Sequence, residues 1–259
     1  MKRQKKESRI RDYLLQLISK HVPAGAVLAG YSLCTHIGRI SGKTAKEHLA
    51  HNQRLWEMRK DSVLQRAADG RLYLERQALL GEASGAEAFH FGVKDRHHTP
   101  LFADYNSCEA IAVFNLEQFL SGEAQTGDFP KLLYTFERNA AACGGRFGSA
   151  PSAVERYLKK SGLQVEKLVG TACDRNRLLA FTAQFEAFIV VVYNNKNTLR
   201  AGIHTMCVTK DVRNRTTGYL LHNDYHCYGA RWYPSLTAAI EDYNFDRAKM
   251  IEVLGVKKK

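Results

Sequence analysis

The stretch "YNSCEAIAVFN", residues 105–115, sets a cysteine between an Asn-Ser pair and an apolar run. Asn106 is a favoured N-cap and Glu109 follows three residues later, so the spacing N-x-x-E predicts a capping box that opens a helix. Cys108 then falls in the first helical turn. The unpaired N–H groups and the positive end of the helix dipole lie there and favour thiolate over thiol. Cysteines so placed have pKa values of roughly 3.5–7.5. Glu109 opposes this only if its carboxylate faces the sulfur; in a capping box it turns back to the cap. For acyl chemistry the nucleophile also needs a proton acceptor, most often an imidazole.

The segment "AGIHTMCVTK" (201–210) supplies one. It alternates as a strand does, placing His204, Met206 and Val208 on one face and Ile203, Thr205 and Cys207 on the other. "TGYLLHND" (217–224) follows as the next strand after a polar loop centred near residues 213–214. In a symmetric hairpin position 204 then lies opposite position 223. Asn223 or Asp224 therefore falls beside His204, able to orient the imidazole, and a one-residue slip decides between them. The order is Cys, then His on a strand, then Asn or Asp on its neighbour.

Other chemistry-bearing patterns carry less. "GRISGKT" resembles a phosphate loop, but three residues separate Gly38 from Gly42 where four are needed. "CGGRFGSAP" (143–151) is glycine-rich with no Lys-Ser/Thr after it and reads as a turn and helix start. His204, Cys207, His222, His226 and Cys227 form a zinc-like set. Strand alternation separates His204 from Cys207, and the spacing fits no structural-zinc pattern, so no metal and no cofactor are expected. Cys34, Cys173 and Cys207 read as buried, and Cys143 as a turn thiol beside Arg146.

The elements that must position these residues are legible in outline. Apolar residues at helical spacing predict helices over 9–20, 44–68, 108–120, 132–142 and 233–244, with a further amphipathic helical piece over 72–80. Thr44 with Glu47, and Ser152 with Glu155, have capping-box spacing; Ser235 is a cap, and Gly162 a helix stop. "GEASGAEAFHFGVKDRHHTP" (81–100) reads as a loop. "AFIVVVY" (187–193), 201–210 and 217–224 predict a three-strand meander. Helices followed by an antiparallel sheet give an α+β fold.

The chain has 259 residues, 38 basic and 26 acidic, for a net charge of +12; 18 basic and 10 acidic residues fall within the first hundred. No nucleic-acid-binding motif accompanies the charge, so it reads as a basic, solvated surface and nucleic acid is not an expected partner. No apolar run approaches the roughly 18 residues of a spanning helix, and no signal-peptide pattern is read at the start. A cytoplasmic protein with six reduced cysteines is the expectation.

Taken together, "YNSCEAIAVFN", "GSAPSAVERYLKKSGL", "GIHTMCV" and "GYLLHNDY…SLTAAI" resemble the papain-like cysteine peptidases, nearest to the bacterial double-glycine-peptidase-like (bacteriocin-processing-peptidase-like) proteins. The resemblance covers roughly residues 88–245. It implies a papain-like domain over 88–259, preceded by a mostly helical segment over 1–87, and a peptide or protein substrate. It also implies Cys108 as nucleophile, His204 as general base and acid, and Asp224 or Asn223 as the orienting residue. The family sets a Gln or another amide before the Cys for the oxyanion; here "TPLFADYN" offers only Asn106. Glu109 stands where the processing peptidases carry Gly. Hydrolysis and acyl transfer share the same acyl-thioester, and a catalytically weak binding module is the remaining alternative.

Overall fold

The computed structural model describes residues 24–37, 39–67, 70–75, 79, 87–93, 106–122, 127–169, 175–193, 203–213, 215–223, 230–244 and 250–259. Helices α1 (Ala24–Cys34) and α2 (Gly42–Val63) lead into a two-stranded antiparallel hairpin, β1 (Leu64–Arg66) and β2 (Leu72–Leu74). Helices α3 (Cys108–Ser121), α4 (Phe129–Asn139) and α5 (Pro151–Lys160) follow, with a 3₁₀ turn at Ala142–Gly145 between the last two. Then come β3 (Gln164–Val169), α6 (Arg175–Ala183), β4 (Ala187–Tyr193), β5 (Ile203–Arg213), β6 (Thr216–His222), β7 (Arg231–Tyr233), α7 (Leu236–Asn244) and β8 (Met250–Lys257). The described residues give an α+β fold: helices together with a six-stranded antiparallel sheet in the order β3-β8-β4-β5-β6-β7.

Strand β4 explains the sheet's two faces. Its unbroken apolar run is buried on both sides, so alternate residues feed different cores. Ala187 and Ile189 join Cys207, Leu254 and Val256 against α2–α5, while Phe188, Val190 and Val192 join Met206, Val208 and Leu221 against α6 and α7. Helix α3 lies at the centre of the first layer and is buried nearly all round, as an Ala/Ile/Val/Phe-rich helix must be. It ends at Gly122, whose φ of 73° is the left-handed stop that glycine favours. Trp56 of α2 packs edge-on to Phe89 and Phe114, and residues 40–93 contribute Ile40, Leu55 and Leu74 to the same cluster as α3.

Several elements differ from the sequence expectation. Helix α2 starts at Ser41, whose hydroxyl accepts the Thr44 N–H at 3.0 Å, so no Thr44–Glu47 box forms, and it ends before β1. Residues 72–74 are a strand, not a helical piece: Leu72 and Leu74 are buried with Tyr73 between them, a period of two. Helix α5 begins on Pro151, which pre-sets the first turn. Glu155 pairs with Lys159 and Lys167 at 2.7 and 2.6 Å rather than capping Ser152. Ser235 does cap α7, accepting the Ala238 N–H, and Gly162 (φ 85°) ends α5. The meander β4-β5-β6 is present, and β3, β7 and β8 extend it beyond the expected strands. The expected helix over 9–20 and most of the 81–100 loop lie outside the described residues.

The insertion of β8 between β3 and β4 depends on Gly255. A Cβ there would come 2.3 Å from the Phe185 ring. Gly255→Ala is therefore expected to cost about 1–3 kcal/mol through overpacking, measured as a lower urea midpoint at unchanged m-value; an unchanged midpoint refutes this account of the strand.

Candidate functional site

Cys108 is the first residue of α3, but the cap differs from the one expected. The N-cap is Ser107, not Asn106, and no side chain caps the helix. The capping box is absent because the Glu109 carboxylate is engaged elsewhere. It accepts its own main-chain N–H and that of Ser149, and Thr205 Oγ1 donates to Oε1 at 3.2 Å. Its Oε2 lies 3.4 Å from the Cys108 sulfur as acceptor of the thiol. This is the geometry in which Glu109 opposes the thiolate. Cys108 is 5% exposed and Glu109 1%.

Both groups are shifted accordingly. Burial, then the Glu109 charge, push the Cys108 thiol well above its ordinary range; the main-chain N–H of Thr205 pulls the other way by donating to the sulfur, and the Thr205 hydroxyl beside it acts in the same sense. Burial raises the Glu109 carboxyl to about 7, against the same hydrogen bonds. The helix N-terminus contributes about 0.3–1 kcal/mol, up to about 2 in partly buried geometries. Removing a charge from water costs several kcal/mol, so burial prevails: the thiol keeps its proton at neutral pH, where the carboxyl titrates.

The strand that meets the sulfur is β5, and the reason is where β6 leaves it. The β5–β6 ladder runs from Arg213↔Thr216 only to Cys207↔His222. Beyond Cys207 the amides that point away from β4 have no paired strand beside them among the described residues. Those of Ile203 and Thr205, two residues apart, leave the same edge. Thr205 N–H is taken by the Cys108 sulfur. Ile203 N–H is taken by the hydroxyl of Tyr31 from α1. That phenol is raised above its usual range first by burial and then by the Glu109 and Cys108 charges beside it. Tyr31 thus lies on the nucleophile candidate.

His204 is fully buried one residue from this contact. Its Nε2–H donates to the main-chain oxygen of Asn223 at 2.7 Å, so in the neutral ring the basic nitrogen is Nδ1. Asn223 has φ 65° at the end of β6, and its N–H donates to Glu75 Oε1 at 3.1 Å. The hairpin turn is centred between residues 214 and 215, a residue later than expected, with Arg215 left-handed at φ 63°. The expected pairing of 204 with 223 is therefore not the register of this hairpin, and among the described residues the ladder ends before either residue. Asp224 lies outside the described residues.

The structure thus joins Cys108 to the His204 strand through Thr205, and joins His204 to the Asn223 main chain. Among the described residues, the groups bonded to the sulfur are Glu109 and Thr205. Alternation turns His204 toward the Met206 face and Thr205 toward the Cys207 face. Sequence reasoning missed Thr205, Tyr31, Ser149 and Glu75 as members of this cluster. Thr205 shares a face with Cys207, which is the signal that could have found it. Tyr31 is the one aromatic in a Gly/Ala-rich run. Cys34, expected to be buried, is half-buried beside Cys143.

No protein-family model matches the chain, and no curated protein matches it. Among solved structures it is similar to the peptidase domain of Streptococcus ComA, a bi-functional ABC transporter involved in a quorum-sensing pathway. The TM-score is 0.40 and the identity 12%, over 66% of this chain and 100% of that domain. No helix among the described residues is long and apolar enough to cross a membrane.

The buried carboxyl has a stability consequence. Its pKa is raised from 4.5 to about 7 on folding. The folded state binds the proton more tightly than the unfolded state, so stability falls as pH rises through that window. Glu109→Gln removes this dependence. The stability of the native chain relative to Glu109→Gln is expected to drop by on the order of 3 kcal/mol between pH 4 and pH 8, read from urea unfolding at each pH. A pH-independent difference overturns the assignment.

Proposed function

We propose that this chain is a papain-like cysteine hydrolase acting on a peptide or amide bond, held here in a closed form. The observation that supports this reading is the meeting of Cys108, at the first turn of the central helix, with the edge amide of the strand that carries His204. A thiol, a carboxyl and a hydroxyl gather there, buried beside the apolar cluster of that layer. Polar burial of that kind costs free energy that packing alone does not return.

In the open form Tyr31 withdraws, which frees the Ile203 N–H and lets water reach the sulfur. Burial is the largest cause of the raised thiol, so hydration draws its pKa down. His204 lies on the opposite face of β5 from Thr205 and the sulfur, so this form also requires the β5 end to re-seat from its pairing with Val192 until the imidazole meets the thiol. His204 takes the thiol proton at Nδ1 while Asn223 or Asp224 holds the Nε2 tautomer. The thiolate attacks the substrate carbonyl carbon and a C–S bond forms. Asn106 and the Cys108 N–H donate to the oxyanion. The intermediate collapses, the C–N bond breaks and the amine leaves with the imidazolium proton. Water then gives a proton to His204 and adds to the thioester, and the C–S bond breaks to release the acid and the thiol.

One observation favours a second reading, a papain-like binding module without catalysis: the sulfur bonds Glu109 and Thr205, and its thiol is held well above its ordinary range. Incubation with a peptidyl fluoromethyl ketone, followed by peptide mass analysis, separates the two. The hydrolase reading expects an adduct on Cys108 that forms faster in Tyr31→Ala. On fluorogenic peptide amides it expects turnover that Cys108→Ala abolishes and His204→Ala lowers by about 10²-fold or more. No adduct on Cys108 in either the native chain or Tyr31→Ala leaves the binding module.

A further inference from the structure

We propose that Cys34 and Cys143 form a reversible disulfide that clamps α1, and with it Tyr31, over the Cys108 site. Helix α1 brings Cys34 beside the turn that holds Cys143, near enough for its side chain to bear on the Cys143 thiol, though the two are 109 positions apart in the chain. Both are free thiols and both are half-buried, unlike Cys108 and Cys207, which are buried. They are thus the described cysteines that an oxidant in solution can reach. Helix α1 packs on the 3₁₀ turn that holds Cys143. Gly30, Tyr31 and Cys34 of α1 line a cavity of about 350 Å³ with Ala142 and Phe147.

The turn presents the second sulfur by an unusual backbone. Cys143 has φ 49° and ψ 46°, left-handed values that a non-glycine residue adopts only when its surroundings fix it. Gly144 and Gly145 follow with φ 70° and 86°. Gly145 is seated against Gly92 and Phe91, where a Cβ would come 2.8 Å from the Gly92 Cα. Val93 N–H donates to the Gly144 carbonyl at 2.7 Å. The Cys143 end is therefore anchored to the residues around Gly92, and the other end sits on α1.

Position on α1 converts a bond at Cys34 into control of the site. Tyr31 and Cys34 are three residues apart and so share a helix face. A covalent tie at Cys34 fixes the turn that carries Tyr31, whose hydroxyl holds the Ile203 N–H beside Cys108 and Glu109. With both thiols reduced, α1 is held by packing and that hydrogen bond, and it can lift.

The oxidant is a disulfide of the glutathione class. One protein thiolate attacks a glutathione disulfide sulfur, giving a mixed disulfide and one glutathione thiolate. The second protein thiolate attacks the protein-side sulfur and expels the second glutathione. Two protein thiols are oxidised by two electrons, one disulfide is reduced to two thiols, and the protein's two protons pass to glutathione.

The functional consequence rests on the Cys108 reading above; the disulfide and the seating of α1 do not. The full chain is equilibrated in buffers from all-reduced to all-oxidised glutathione and mapped by peptide mass. A Cys34–Cys143 cross-linked peptide is expected, reversed by reductant and absent from Cys34→Ser and Cys143→Ser. Hydrogen exchange across residues 24–34 is expected to slow at least about tenfold on oxidation in the native chain and not in either variant. Iodoacetamide alkylation of Cys108 is expected to slow by a similar factor. Glutathionylation without the cross-link, pairing of Cys34 with another cysteine, or unchanged exchange across α1 overturns the clamp. Cys108 that is inert in both redox forms, with the cross-link and slowed exchange present, overturns the nucleophile reading and leaves the clamp standing.

Discussion

The constraint on which the site depends is the early departure of β6 from β5. Buried main-chain amides must find acceptors, and among the described residues the ladder stops at Cys207↔His222 while β5 continues inward to Ile203. Two edge N–H groups are thereby left to whatever packs against them. The central helix answers one with the sulfur of its first residue, and α1 answers the other with a phenol. The same departure leaves the end of β6 to curl at Asn223, in a left-handed conformation, so that its main-chain oxygen meets His204. A sheet paired to full length at this corner would have neither a cysteine at its edge nor a histidine held by a main-chain oxygen.

The N-terminal hairpin contributes to this corner as well. Glu75, fully buried just after β2, accepts the N–H of Asn223 from 148 residues away. Asn115 of α3 pairs with both main-chain groups of Leu74, at 2.6 and 2.9 Å, which fixes the hairpin on the central helix. The first hundred residues are thus joined to the catalytic candidates by hydrogen bonds as well as by the Trp56 aromatic cluster. Tying Asn223 to Glu75 also fixes the tautomer of His204, because a carbonyl oxygen can only accept.

Much of the helix–sheet order was legible because periodicity carries it. "AFIVVVY" has too many β-branched residues in a row for anything but a strand buried on both faces, and the meander after it follows from turn-bounded alternation. The N-terminal half of α3 was readable from its apolar run, with Cys108 at its start. The capping detail was not readable. N-x-x-E has the right spacing for a box, yet Glu109 finds stronger partners in Ser149 and Thr205, which come from elsewhere in the chain. The hairpin register missed because one left-handed Arg215 tightens the turn, and arginine does not announce that conformation as glycine does. Strand β8 gave little signal, since "MIEVLGVK" shows its need for Gly255 only once Phe185 is packed on it.

Magnitudes settle why a local reading of Cys108 cannot by itself give its reactivity. A helix N-terminus and a main-chain donor favour thiolate, the first by about 0.3–1 kcal/mol. Both act on the sulfur here, and still the thiol is raised, because it has lost its water and faces a carboxyl 3.4 Å away. Loss of solvation outweighs both, and the groups that surround the sulfur come from β5 as well as from its own helix, with the Tyr31 hydroxyl of α1 near them. The chemistry of residue 108 is therefore a property of what packs on it from elsewhere in the chain. In a site built this way, the burial of the sulfur has more influence on its reactivity than the helix end that bears it.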